Sequence, residues 1–119
     1  MKHLNIKRVY LSPDVGDGYR ILIDRLWPRG ITKEQANIDE WCKNIAPSTE
    51  LRKWFGHKEE NFAEFAKQYR NELNSNKGAY LFTEHVKDIL TQSNVTLLYG
   101  AKNPNINHAI ILSDWILNN

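Results

Sequence analysis

Residues 19–25 read "YRILIDR". At the centre stand Ile21, Leu22 and Ile23, three apolar residues in a row. A strand with one wet face alternates apolar and polar side chains, whereas an unbroken run marks a strand covered on both faces, as in a parallel sheet. A second run of this kind is "NVTLLYGA" (94–101). Between the two lie helical patterns. "EENFAEFAKQYRNEL" (59–73) places Phe62, Phe65, Ala66, Tyr69 and Leu73 three and four apart, which predicts an amphipathic helix. Residues 79–91 repeat the pattern with Leu81, Phe82, His85, Val86, Ile89 and Leu90, and this puts His85 on an apolar face as a core histidine. A helical crossover leading into a buried strand predicts an α/β fold whose sheet is at least partly parallel.

Outward from this frame, "LNIKRVYL" (4–11) is rich in β-branched and aromatic residues and reads as a strand. "SPDVGDG" (12–18) is a loop. Thr32 can cap a short helix over Lys33–Ala36. "IDEWCKNI" (38–45) fits either a short strand or irregular chain. Ser48 can cap a helix on which Leu51, Trp54 and Phe55 share a face and which Gly56 ends. "HAIILSDWIL" (108–117) is a closing helix with Ile111, Leu112 and Trp115 inward. No repeat, low-complexity tract or linker interrupts the chain. The expectation is one compact domain over residues 1–119, a small sheet flanked by helices.

The chain has 119 residues, 41% apolar and 25% charged, an ordinary globular composition. Its net charge is +2, from 16 Lys+Arg against 14 Asp+Glu. That balance argues against a dedicated nucleic-acid binder and leaves a local basic patch open. No stretch approaches the roughly eighteen apolar residues of a membrane span, and "MKHLNIKRVY" lacks the apolar segment of a signal peptide. The single cysteine excludes an internal disulfide. These features predict a cytoplasmic protein without membrane contact.

Ligands of open α/β sheets bind beyond the carboxyl ends of the strands. "YRILI" runs into Asp24, Arg25, Trp27, Pro28, Arg29 and Gly30, and "VTLLY" into Lys102, Asn103, Asn107 and His108. If the two strands are parallel neighbours, both sets emerge on one edge. Asn107 and His108 also open the last helix, where free N–H groups and the helix dipole favour an anion. "APST" opens another helix, with Lys43 before it and Arg52 inside it. Arginine suits phosphate or carboxylate because its fork makes two parallel charge-assisted hydrogen bonds. Asp24, Arg25, Arg29, Lys43, Ser48, Arg52 and Asn107 are thus the candidate ligand-binding residues for a small anion. Each also has a structural reading: a salt bridge for Asp24 with Arg25, a core plug for Trp27, helix caps for Ser48 and Asn107, solvated surface for Lys43 and Arg52.

Any proton carrier is sought at His57, which follows Gly56 at a helix end, or at His108, since histidine titrates near neutrality. The sequence contains no Gly-x-Gly-x-x-Gly and no Walker loop, and His3, His57, His85 and His108 show no short metal-ligand spacing. No cofactor and no structural metal are expected. Cys42 stands without an evident base and is a weak nucleophile candidate.

Several of these pieces recur together. "DRLWPRG" (24–30), "WCK" followed by "APS" (41–48), "LRKWFGH" (51–57), Phe65-x-x-x-Tyr69-x-x-Glu72-Leu73, and "LLYGAKN" with "NHAIIL" (97–112) run in order over nearly the whole chain. By them the chain resembles the YeaO-like family of small bacterial proteins, domain of unknown function 488. The resemblance implies an α/β domain in a bacterial cytoplasm and brings no established activity. The family favours an aliphatic residue where Cys42 stands, which argues further against a catalytic cysteine, and alanine where Gly100 stands. Three readings follow: a small-molecule or nucleotide site recognising phosphate or carboxylate, catalytic or not; a nucleic-acid module in which exposed Trp and Tyr beside arginines stack bases; and an interaction domain without a ligand. Burial of Trp27, Trp41 and Trp54 would remove the stacking platforms.

Overall fold

The structure is a computed structural model and describes residues 2–119. Four strands form one sheet: β1 (Leu4–Arg8), β2 (Tyr19–Leu22), β3 (Glu40–Trp41) and β4 (Val95–Tyr99). Their order is β1-β4-β2-β3, and every pairing is parallel. The expected α/β fold is therefore present, and its sheet is parallel throughout. β2 lies beside β4 in the register Tyr19↔Val95 to Leu22↔Leu98. Among the described residues five α-helices accompany the sheet: α1 (Lys33–Ala36), α2 (Thr49–Phe55), α3 (Phe62–Asn74), α4 (Lys77–Ile89) and α5 (His108–Leu117). "IDEWCKNI" resolves into the two-residue strand β3.

The apolar run of β2 is divided between two faces, as pleating requires. Ile21 and Ile23 join Val95, Leu97 and Tyr99 in a large core with α2, α3, α4 and α5. Leu22 and Leu98 turn the other way, into a smaller cluster with Val9 and Ala36, edged by Trp27, Ile31, Ile38 and Trp41. Phe65, Ala66, Tyr69 and Leu73 of α3 all lie buried, as their spacing predicts. The α1 cap is reciprocal: Thr32 Oγ1 accepts from Gln35 N and Gln35 Oε1 accepts from Thr32 N.

Three expectations are corrected here. Trp54 does not share the inner face of α2; it is 49% exposed while Leu51 and Phe55 are buried. Leu81 is exposed as well. His85 is no core histidine: it lies exposed on α4, with Nε2 2.7 Å from Glu40 Oε1. In both helices the spacing was compatible with a wider apolar stripe than the core covers.

The smaller face carries a buried ionic cluster. Arg20 is 3% exposed. Its guanidinium donates to Asp17 Oδ2, Ala36 O (2.7 Å) and Asn37 O (2.9 Å). Lys7 Nζ reaches the same carboxylate at 3.0 Å. Burial pushes the Asp17 carboxyl up, but Lys7, the Asp14 N–H and Arg20 together pull it below its usual value.

Candidate functional site

Because β2 and β4 are parallel neighbours, the segments following them leave the same edge. Ile23 N still donates to Leu98 O at 3.0 Å, so the two chains part only beyond this point. The space between them is a cleft of about 390 Å³. Asp24, Arg25, Leu26, Trp27 and Arg29 line it from the β2 side, and Gly100, Ala101, Asn107 and His108 from the β4 side. Ala46, Pro47, Arg52, Phe55, His57 and Phe65 close the remaining wall.

Asp24 sits at the junction. Its Oδ2 accepts from Gly100 N at 2.9 Å. A Cβ on Gly100 would lie 2.9 Å from that oxygen, so the lack of a side chain there permits the approach. Asp24 Oδ1 lies 3.4 Å from His108 Nε2 and makes no hydrogen bond among the described residues. Burial raises the Asp24 pKa, while His108, the Gly100 N–H, Arg52 and His57 act in the opposite direction.

His108 Nε2 lies 3.1 Å from Ile23 O. A carbonyl can only accept, so Nε2 carries the proton, and in the neutral ring Nδ1 is the acceptor. The ring meets Tyr69 edge-on at 6.1 Å. Burial lowers the His108 pKa, although Asp24 and the Ile23 carbonyl favour the charged form. Tyr69 also fixes the opposite wall, since its hydroxyl donates to Ile45 O at 2.6 Å.

The arginines differ in how firmly they are held. Arg25 Nη2 donates to Ala46 O (3.1 Å) and Pro47 O (3.2 Å), while its buried Nε finds no acceptor among the described residues. Arg29 is exposed, and its turn is pinned by the Tyr10 hydroxyl on its carbonyl at 2.7 Å and by Gly30 at φ +76°. Arg52 extends exposed from α2. His57 follows Gly56, and both adopt left-handed backbone, at φ +58° and +55°. For a residue with a Cβ this conformation is uncommon, though histidine is among those enriched in it.

The structure thus gathers Asp24, Arg25, Arg29, Arg52, His57, Asn107 and His108 around one cleft and leaves Lys43 and Ser48 outside its lining. Lys43 Nζ rests 4.0 Å from the centroid of the Trp41 ring. Ser48 caps α2, accepting from Leu51 N, and both its N–H and its hydroxyl donate to Glu72. The α2 N-terminus therefore already holds an anion, the chain's own Glu72. Asn107 is 1% exposed; its side chain caps Ile110 N and donates to Asn103 O, so its hydrogen bonds are internal. Tyr69 is the site's support that the sequence reading missed; Gly100 was read there as a small residue leaving the strand end open to close approach, and the group that approaches is the Asp24 carboxylate. Cys42 is half-buried, and burial together with Glu40 pushes its thiol up, away from the reactive thiolate.

The architecture is thus a parallel α/β sheet with an arginine-lined cleft at its carboxyl edge. The sequence matches the family described as the inactive DUF488-N3 subclade over residues 3–119, and the chain belongs to that family. It is 46% identical to "Uncharacterized protein YeaO" of Escherichia coli (strain K12) over 114 residues, covering 96% of each chain. It is 36% identical to uncharacterised proteins of Mycobacterium bovis and Mycobacterium tuberculosis over 113 residues, 95% of this chain and 92% of theirs. No solved structure matches. No helix among the described residues is long and apolar enough to cross a membrane.

Proposed function

We propose that the cleft binds a small anion through a phosphate or carboxylate group. One observation carries the reading: Arg25, Arg29 and Arg52 line a single cleft in which, among the described residues, Asp24 is the only carboxylate. Three guanidinium groups against one carboxylate leave a cationic excess even with Asp24 ionised. The α5 N-terminus opens at the same place and adds a favourable dipole. Arg25 and Arg29 act as the grip, the first anchored on backbone carbonyls, the second free to close on the ligand. The description of the family as inactive favours binding over turnover.

Calorimetric titration with inorganic phosphate and with acetate, for the wild-type chain and Arg29→Ala, tests this. Saturable heat from the wild type, weakened about tenfold or more in the variant, is the expected result; one charge-assisted hydrogen bond contributes roughly 1.5–3 kcal/mol. Absence of saturation with either anion, or an unchanged affinity in Arg29→Ala, would overturn it.

A further inference from the structure

The cleft is not shaped for a bare oxyanion. Its volume is about 390 Å³, within the roughly 300–1,000 Å³ of pockets that enclose organic ligands. A water's share of liquid volume is about 30 Å³, so the space equals about a dozen waters. The lining is also divided by chemistry. Besides the cations, the lining holds apolar side chains: Leu26, Trp27 and Ala101 keep exposed surface, while Pro47, Phe55 and Phe65 border the cleft from the core. Leu26 is 61% exposed, on a turn where a polar residue would be accommodated without loss to the core. Beneath the lining, Phe55 and Phe65 stack at 4.1 Å with their planes 13° apart, and the His57 ring lies 5.8 Å from Phe55. An inorganic ion held by the arginines would leave the exposed surface of Leu26, Trp27 and Ala101 facing water.

We propose that the ligand is an organic anion: one phosphate or carboxylate carried on a flat apolar body that covers Leu26 and Trp27. This rests on the anion reading above and narrows it. The charged group meets Arg25 and Arg29, and the body displaces water from these side chains, where affinity grows with the apolar area removed from water.

The test compares three probes by calorimetry: inorganic phosphate, phenyl phosphate and phenol. Phenyl phosphate is expected to bind about tenfold tighter than phosphate, the gain given by burying a good part of one ring face. Leu26→Ala, at an exposed position where folding is preserved, is expected to weaken phenyl phosphate several-fold and leave phosphate unchanged. If phosphate binds and phenyl phosphate binds no better, this inference falls while the anion reading stands. If phenol binds as tightly as phenyl phosphate, or if no probe binds, the anion reading falls and takes this one with it. Equal loss of both phosphates in Leu26→Ala would show that the residue shapes the turn rather than contacts the body, and would overturn the proposed contact.

Discussion

Asp24 and His108 face each other across the floor of the cleft, and burial acts on both in the direction of neutrality. The signs differ in their consequences for stability. The folded His108 pKa lies below its unfolded value, near 6.5. Its contribution is therefore fully present above about pH 6.5 and is lost as pH falls through the folded pKa. Asp24 is raised, so its contribution is present below about pH 3.9 and is lost as pH rises through its folded value. His108→Gln preserves a donor for Ile23 O and removes the titration. Urea unfolding between about pH 5 and 7.5 should show the wild type losing stability toward acid more steeply than the variant, by at most about 1.4 kcal/mol per pH unit for one proton. Parallel curves would show that the folded ring takes up its proton as readily as the unfolded one. At Arg29 the expectation is of another kind. The side chain is exposed, so Arg29→Ala should change stability by less than about 0.5 kcal/mol while weakening phosphate binding. A large fall in melting temperature would reveal a structural arginine instead.

At the scale of elements, the ends of β2 carry separate duties. Its carboxyl end supplies the cleft; its amino end is tied down by Arg20, which joins the 3-10 turn at Val15–Asp17 to the end of α1. Replacing Arg20 with Leu strands two carbonyls and removes one of the two cations on Asp17. Breaking a buried ion pair by deleting one partner costs roughly 3–5 kcal/mol, and Lys7 remains on the carboxylate, so a loss of about 3 kcal/mol is expected. Equilibrium urea unfolding of Arg20→Leu checks this, and a loss below about 1 kcal/mol would mean that Lys7 alone satisfies Asp17. Helix α5 depends on Asn107 in a simpler way. Asn107→Ala removes the cap on Ile110 N and should cost about 1 kcal/mol, read from the same titration.

Across the whole molecule, the balance of charge and the placement of tryptophan argue together. Trp27 and Trp41 pack edge-to-face at 5.4 Å, and their indole N–H groups are bonded to Ile31 O and Asp24 O, so neither is a free stacking platform. Trp115 is buried, and Trp54 alone stands half-exposed. With a net charge of +2, the chain displaces few condensed counterions. Binding to random oligonucleotides should therefore be weak, with a logarithmic salt slope of roughly two or three. Fluorescence titrations of labelled single- and double-stranded DNA across a salt series measure it. Tight binding at about 150 mM salt with a steep slope would move the function to nucleic acid.

What the sequence determined by itself lies in its periodicities and ends. The unbroken apolar centres of β2 and β4 and the three-and-four spacing of α3 pointed to an α/β sheet at least partly parallel, and the polar residues directly after those strands marked the edge that a cleft would share once the strands proved to be parallel neighbours. The caps at Thr32, Ser48 and Asn107 were legible for the same reason: a cap and the amide it serves are neighbours in the chain. Only the tertiary structure decided which polar groups share the cleft. Asp24 meets Gly100 across 76 residues and His108 meets Ile23 across 85. Ser48 is claimed by Glu72, Lys43 by the Trp41 ring, and His85 by Glu40, each a partner that no local pattern announces. Helical and strand periods report which side of an element faces the core. They carry no information about which distant element stands opposite, and it is that neighbour which turns a polar side chain into part of a site or into a strut of the fold.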